Sequence, residues 1–327
     1  AAPGGPLGWL VPNHLIRAAA WQAVAGRPGV QVHTGERVVA LALPSGTAGA
    51  GASPAAQLAQ VELADGRRLR APLVVAADSR FSAVRRMAGI GASMRDFGRS
   101  VVVGRVAHSG DHQGIARECF RYGNTLALLP LNGGMSSAVV TVPGSQAAAW
   151  QALGDADFAA RIAAQSDGLL GSVRAVGPRH HYPLVGVLAH RFVAPGFALV
   201  GDAAVGMHPV TAHGYNFGLY GVQVLARQLQ AARQAGQPIG SLAVLQPYEA
   251  EHRRRTLPVY LGTNAVVSLF TDERPPAKLA RRVVLGLAER APGLSGLLKA
   301  AITRQLTGLG GAPAPGPAAA AFSAAGR

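Results

Sequence analysis

The sequence predicts a mixed α/β protein in which an antiparallel sheet is inserted between two strand–turn–helix segments. In the segment after the sheet, a short apolar run, Phe197 to Val200, indicates a buried strand that ends in Gly201-Asp202, and an apolar-periodic helix follows from Gly214. In the segment before the sheet, a buried strand at 73–77 runs into a turn and a short helix. Residues 94–190, which lie between the two, carry runs of alternating apolar and polar residues that are typical of antiparallel strands.

The segment from Ala198 to Leu229 contains the candidate binding site. It places a strand end, an acidic turn and a helix N-terminus close together. The Asp202 carboxylate can accept hydrogen bonds from sugar hydroxyls, and the free N–H groups at the helix start can face an anion. Apolar periodicity predicts that the buried face of this helix consists of Leu219, Val222, Leu225, Ala226 and Leu229.

The first part of the chain predicts one helix and several strands. Asn13 is a candidate N-cap of a helix that ends near Gly26. Gly49-Ala50-Gly51 lies in a loop with no helix after it, so it is not a dinucleotide-binding glycine motif. Strands are predicted at 29–33, 36–43, 57–63 and 67–71.

The composition describes a chain with enough apolar residues for a large core and with a strong positive charge. Of 327 residues 49% are hydrophobic, and the net charge is +15. The arginines are scattered and form no nucleic-acid module, which argues against nucleic acid as a partner. No apolar run is long enough to span a bilayer, and the N-terminus does not resemble a signal peptide.

The chemistry-bearing residues outside the candidate site are few. Cys119 is the single cysteine, which excludes an internal disulfide, and its strand context predicts a buried structural thiol rather than a nucleophile. His180 and His181 are predicted to be strand residues. No His, Cys and carboxylate spacing fits a metal site, so we expect no metal.

The candidate binding segment resembles the second FAD-binding signature of the flavoprotein aromatic hydroxylases, the class A flavin monooxygenases. That signature is roughly GDAAH, then a proline, then GxGxNxG. Here it stands as Gly201-Asp202-Ala203-Ala204, then His208-Pro209, then Ala212-His213-Gly214-Tyr215-Asn216-Phe217-Gly218.

The strand–turn–helix segment after residue 77 resembles another signature of the same family. The family pattern is ADG, two residues, Ser, two residues and Arg. Asp78, Ser82 and Arg85 have the expected spacing, while Ser79 replaces the glycine. Ser82 or Asp78 can cap the helix that carries Arg85. The resemblance ties Asp78 to placement of the cofactor and to transient contact with reduced nicotinamide.

The resemblance implies FAD as cofactor, NADH or NADPH as transient reductant and O2 as co-substrate. In the family an aromatic ring is hydroxylated through a flavin C4a-hydroperoxide, so no catalytic nucleophile is required. For Arg17, a solvated helix arginine is an equal alternative to a cofactor contact. The cofactor-binding residues implied by the resemblance are Gly201, Asp202, Asp78, Pro209, Gly214, Tyr215, Asn216, Arg17 and Val38.

Two histidines of the signature are candidate acid–base residues, His208 and His213. For His208, packing and hydrogen bonding beneath the flavin is the favoured alternative. The sequence also departs from the family at Val205, Ala212 and Gly221, where His, Gly and Asp are common, and these positions are expected near the flavin.

Three segments resemble the ubiquinone-biosynthesis hydroxylase branch: MRDFGR at 94–99, ECFRYGNTLALLPL at 118–131 and the GDAAVGMHPVTAHGYN signature. The branch implies a polyprenylated phenol as substrate and a cytoplasmic protein. Peripheral contact with the inner membrane surface and membership of a biosynthetic assembly stay open, as does a merely solvated helical face for the basic C-terminal segments. Two other functions also stay open: a flavin hydroxylase of another soluble aromatic or polyketide, and a truncated non-catalytic remnant or assembly subunit.

The family begins with a strand, a GxGxxG loop and a helix, and this unit is absent here. We therefore expect something on the order of a hundred residues upstream, and we expect that this chain alone does not retain stoichiometric FAD. The domains are expected to be FAD-binding at 1–93 and 191–260, substrate-binding at 94–190, C-terminal helices at 261–307 and a disordered tail at 308–327.

Overall fold

The structure is a computed structural model that describes residues 8–44, 58–120, 124–209 and 213–271. The chain divides into two compact units, residues 10–263 and residues 1–9 with 264–327. The described part of the second unit is limited to residues 8–9 and the end of the last helix. All strands described here belong to residues 10–263.

The helices and strands alternate along the chain as a mixed α/β protein. The helices are α1 (Asn13–Val24), α2 (Ala83–Met87), α3 (Ala147–Gln151), α4 (Asp155–Gln165), α5 (Gly214–Gln234) and α6 (Leu242–Thr271). The strands are β1 (Val38–Ala42), β2 (Ala59–Leu63), β3 (Arg68–Ala71), β4 (Val74–Ala76), β5 (Ala92–His108), β6 (Arg117–Phe120), β7 (Thr125–Leu131), β8 (Met135–Pro143), β9 (Val173–Ala189), β10 (Val193–Ala194), β11 (Phe197–Leu199) and β12 (Val205–Gly206).

Three sheets organise these strands. A meander has the order β1-β2-β3, a small sheet has the order β10-β11-β4, and a six-stranded antiparallel sheet has the order β12-β9-β5-β8-β7-β6. The pair β11-β4 is parallel, whereas its neighbour β10 is antiparallel. The predicted fold class, a mixed α/β protein with an inserted antiparallel sheet, is confirmed.

The six-stranded sheet has one face covered by helices and one open face. Along β8, residues alternate strictly between buried and half-buried, which is the period of a strand with one covered face. The covered side packs against α3 and α4, where Val140 and Phe158 have no exposed surface. Cys119 of β6 packs against this same cluster but is only partly buried, so the predicted burial holds in part.

Two predictions for the start of the chain are wrong. Residues 29–33 form no strand, because no described strand pairs with them. The N-cap of α1 is Pro12 rather than Asn13, and no side chain caps this helix. The helix buries none of its residues, so its apolar positions receive no packing that would fix its first turn.

The later helices include one break and one prediction that needs correction. Between α3 and α4 the helical segment breaks just before Asp155, because Gly154 serves as the N-cap of α4. In α5, Leu225 is buried and Leu229 packs against the core, but Leu219, Val222 and Ala226 are exposed. Apolar residues occupy more than one face of this helix, so periodicity alone did not determine which side is buried.

Several predictions fall on residues outside the described ranges. These are the loop that contains Gly49-Ala50-Gly51, the C-terminal helices expected at 261–307 beyond residue 271, and the tail at 308–327. Within the described ranges, no helix combines the length and the apolar character that crossing a membrane requires.

Candidate cofactor site

The two signatures meet at one edge of the small sheet. β4 and β11 run parallel, with Leu199 opposite Ala76. Parallel strands end at the same edge, so the turns that follow them lie side by side. Asp78 follows the first strand and Gly201-Asp202 follows the second.

The Asp202 turn is a single turn of 3-10 helix, Gly201–Ala203. Gly201 has φ +59°, a left-handed conformation that favours glycine, and open space surrounds the position of a Cβ there. A Cβ on Gly218 of α5 would lie 3.5 Å from the Gly201 Cα, so the helix approaches the turn closely. The Asp202 carboxylate is partly exposed, with 36% of the side chain accessible, and it can therefore still reach a ligand.

Asp78 and Ser82 both cap α2. The sequence offered either residue as the cap, and the structure contains both bonds. The Asp78 Oδ2 accepts a hydrogen bond from the Ala83 N–H at 2.9 Å. The Ser82 Oγ accepts one from the Arg85 N–H, also at 2.9 Å. These bonds satisfy N–H groups that the helix leaves free at its first turn.

Arg85 ties the two signatures together from within the core. It is 2% exposed. Its Nη1 donates to the Ala203 carbonyl oxygen at 2.8 Å, and its Nη2 donates to the Arg80 carbonyl oxygen at 3.1 Å. Burial lowers the pKa of the Arg85 guanidinium below its ordinary value. Arg85, from the signature that follows β4, therefore fixes the Gly201–Ala203 turn of the other signature.

Asp202 has a charged partner that the sequence did not suggest. The Arg80 Nη2 donates to its Oδ2 at 2.8 Å and the Nε donates to the same oxygen at 3.2 Å. Arg80 occupies a variable position of the signature, and 122 residues separate it from Asp202. No local pattern therefore connected the two.

His208 lies buried beside this ion pair. Its ring meets the edge of Phe97 with 4.8 Å between ring centroids. Burial, together with the Arg80 charge, lowers the pKa of His208 to about 4. The imidazole is therefore neutral at pH 7 and a weak base, which favours packing and hydrogen bonding over acid–base catalysis for this residue.

The first turn of α5 is partly exposed. Among the described residues no side chain caps the helix, and Tyr215 and Asn216 of its first turn are exposed. The ring of His213 lies 5.6 Å from that of Phe217, between centroids. A helix of this length carries a partial positive charge at its N-terminus, which attracts anions and electronegative ligand atoms.

The remaining predicted contacts are not joined to this site in the structure. Arg17 makes no hydrogen bond or ion pair with any described residue. Val38 begins β1 and pairs with Leu63. Pro209 is exposed and precedes 210–212, which lie outside the described residues. As cofactor contacts, these three stay predictions.

Two family departures occupy interior positions. Val205 is 5% exposed and pairs with Leu188. A Cβ on Gly221 would lie 2.5 Å from Cε1 of His252, a buried α6 residue that the sequence reasoning missed. The position of a Cβ on Gly221 therefore faces His252, and the expected place of Gly221 near the flavin stays a prediction. In the part of the chain that the structure describes, no group of three or more metal-ligating side chains comes together.

The fold matches that of known flavin-dependent hydroxylases. The p-nitrophenol 4-monooxygenase PnpA of Pseudomonas putida DLL-E4 superposes with a TM-score of 0.64, covering 90% of this chain and 72% of that one at 19% sequence identity. At this identity the likeness establishes the fold alone. The fold and the paired signatures define a flavoprotein of the FAD-binding class.

The chain belongs to the family described as "FAD binding domain", whose pattern matches residues 21–259. It is 42% identical over 306 residues to a ubiquinone hydroxylase UbiM of Neisseria meningitidis serogroup C. It is 38% identical over 286 residues to a ubiquinone hydroxylase UbiL of Rhodospirillum rubrum. These matches cover 94% and 88% of the chain, but it spans only 63% and 64% of the length of the two relatives.

The residues at the sheet edge fit FAD. A ribityl chain offers hydroxyl donors, and Asp202 offers a partly exposed carboxylate acceptor. An electronegative oxygen or phosphate can approach the uncapped first turn of α5. The close approach of Gly218 to Gly201 keeps these two groups adjacent. FAD is the cofactor of the family, and this edge has the donors and acceptors to hold part of it.

Proposed function

We propose that the protein is an FAD-dependent monooxygenase that hydroxylates the aromatic ring of a polyprenylated phenol in ubiquinone biosynthesis, with O2 and NAD(P)H. One observation carries the proposal: in a chain of the FAD binding domain family, the Asp202 turn and the uncapped start of α5 lie together at one sheet edge. The names of the two relatives support the ubiquinone branch.

The proposal gives each residue of the edge a task. Asp202 accepts a hydrogen bond from a ribityl hydroxyl, and the first-turn N–H groups near Gly214 hold a negatively charged group. Asp78 caps α2 and so fixes the turn beside the cofactor. The neutral His208 ring packs against the site and excludes water. When bound, FAD supplies the redox chemistry with NAD(P)H and O2.

We assign substrate binding to residues 94–190, whose core is the six-stranded sheet. Strand register places half-buried apolar side chains next to one another on its open face, where Val139 lies opposite both Val103 and Ala127. Such a surface suits a phenol that carries a long apolar chain better than a small charged aromatic. This observation favours the polyprenylated substrate over the soluble aromatic or polyketide.

A substrate of this kind resides in the membrane. The proposal therefore includes cytoplasmic location with transient contact at the inner membrane surface, and contact with other enzymes of the same synthesis. The net charge of +15 supports attraction to anionic lipid.

Replacement of the Asp202 carboxylate tests the proposed site. Asp202→Asn should weaken FAD binding by on the order of tenfold or more, because a charged acceptor is lost. Flavin fluorescence during titration measures this affinity. Glu62→Gln serves as the matched control, since it removes a carboxylate from a surface pair with Arg68 at 3.0 Å and should leave binding unchanged.

Product analysis tests the reaction. With NAD(P)H and O2, mass spectrometry should detect a prenylated phenol that has gained one oxygen atom, and Asp202→Asn should reduce the yield. Turnover of small soluble aromatics in preference to prenylated phenols would reject the substrate assignment. Wild-type FAD affinity in Asp202→Asn would reject the site.

A further inference from the structure

Arg80 has more interactions at the candidate site than the family pattern assigns to it. Besides its two bonds to the Asp202 carboxylate, its Nη1 donates to the Val185 carbonyl oxygen of β9 at 3.1 Å. The guanidinium thus joins the turn after β11 to the six-stranded sheet. Its side chain is 27% exposed, so it is neither buried nor free in solvent.

Both ends of Arg80 are held in place. Its carbonyl oxygen accepts the hydrogen bond from Arg85 Nη2, and a Cβ on Gly206 would lie 3.1 Å from the Arg80 Cβ. The backbone of β12 therefore packs directly against the base of the side chain. A guanidinium has five N–H donors, and the three bonds described use one on each nitrogen, which leaves two for a ligand.

The charge of Arg80 acts on two residues that the sequence assigns to the candidate cofactor site. Asp202 is its ion-pair partner at 2.8 Å. His208 responds to the charge, because Arg80 is the second cause, after burial, of its lowered pKa. A second arginine, Arg95, lies over the Phe97 ring at 5.2 Å from its centroid. Phe97 is the aromatic residue whose ring contacts His208.

We propose that Arg80 is a positioning residue of the flavin site: it fixes the Asp202 carboxylate for a ribityl hydroxyl and keeps a positive charge beside the cofactor. The inference rests on the proposed function. Both bonds from Arg80 to Asp202 go to Oδ2, which leaves Oδ1 for a ligand donor. A fixed cation also favours the reduced flavin, because reduction adds negative charge to the ring.

Two substitutions separate the geometry of Arg80 from its charge. Arg80→Gln removes both, so FAD affinity should fall by on the order of tenfold, and the reduction potential of the bound flavin should become more negative. Arg80→Lys keeps the charge but not the planar fork, so affinity should fall while the potential stays near that of the wild type. Arg86→Gln is the matched control: it removes an exposed arginine from the adjacent helix α2 and should change neither quantity.

A third measurement needs no flavin. The Arg80 charge disfavours protonation of His208, so Arg80→Gln should raise the His208 pKa from about 4 toward its ordinary value. Arg80→Lys should largely restore the low value. NMR titration of the histidine ring signals in the purified protein records the change, which a purely structural role for Arg80 would not produce.

The outcomes separate this inference from the proposed function. If Asp202→Asn loses FAD but Arg80→Gln keeps wild-type affinity and potential, the inference falls and the function stands. If both variants bind FAD as the wild type does, the assignment of the flavin site to Asp202 fails as well. If Arg80→Gln does not fold by circular dichroism, Arg80→Lys decides, and wild-type affinity in that variant overturns the inference.

Discussion

Two buried histidines, His208 and His252, have the same lowered pKa and the same main cause, but the second contribution differs between them. The pKa is about 4 in both cases, and burial is the largest cause. At His208 the second cause is a cation, Arg80, at the candidate cofactor site. At His252 the second contribution is the Phe217 carbonyl oxygen, which raises the pKa but is outweighed by burial.

The surroundings of His252 are those of a core. It is 1% exposed and lies among the rings of Phe192, Tyr220 and Tyr248, with centroids 5.4 to 6.2 Å away. Its Nδ1 lies 3.2 Å from the Tyr248 hydroxyl, which donates to the Leu199 carbonyl oxygen at 2.6 Å. A perturbed histidine pKa therefore indicates burial in general. It becomes an indication of a functional site where a charged neighbour also contributes, as Arg80 does at His208.

Acidification should have the largest effect on both regions. Each histidine is neutral when folded and takes up a proton when unfolded at its ordinary pKa near 6.5. The unfolded state therefore binds more protons between pH 6.5 and 4, and stability falls as the pH falls through this window. Each histidine should cost about 2 kcal/mol between pH 7 and pH 5. Urea denaturation at the two pH values measures the sum.

Removing the two rings is the control for this loss. A variant with His208→Gln and His252→Gln should show a smaller difference in unfolding free energy between pH 7 and pH 5 than the wild type. An equal difference in both proteins would mean that other groups cause the pH dependence, and that the two histidines titrate normally when folded.

A methyl group at position 221 should affect the His252 region alone. A Cβ there would lie 2.5 Å from the His252 ring, so Gly221→Ala forces the ring or the helix to move and should cost about 1–3 kcal/mol. Gly262→Ala is the control, because no atom lies within 4 Å of its Cβ position in α6, and it should stabilise by about 0.5–1 kcal/mol. Thermal melting measures both. Equal or greater stability of Gly221→Ala would refute the close contact.

The smallest effect is expected from Tyr248→Phe. It removes the hydroxyl that donates to Leu199 and lies beside His252, at a cost of about 1 kcal/mol. NMR titration should show a change at His252 and none at His208. A change in the His208 pKa would show that the two regions are coupled and would contradict the view that they are independent.

The sequence predicted the parts of the site that are local. The apolar run before Gly201, the helix start at Gly214 and the caps by Asp78 and Ser82 all depend on neighbouring residues, and the structure contains each of them. Periodicity and capping rules operate over a few residues, so they located these features.

The features that the sequence did not reveal depend on contacts between distant residues. The Arg80–Asp202 pair spans 122 positions and has no local pattern. The sequence showed that position 221 has no side chain, but it did not show that the His252 ring occupies the space where a Cβ would lie. The buried face of α5 was assigned wrongly in part for the same reason, because this helix packs on a core cluster whose residues come from distant parts of the chain.

The parallel pair β4–β11 has a consequence for the order in which the chain folds. The two strands are short, and the whole six-stranded sheet, apart from β12, lies between them in sequence. Joining them directly would close a loop of more than a hundred residues, which is slow and entropically costly. The first residue of β5, Ala92, however, pairs with the last residue of β9, Ala189. Once the inserted sheet has folded, its ends are adjacent and the remaining loop is short, so we expect the edge proposed to bind flavin to form last.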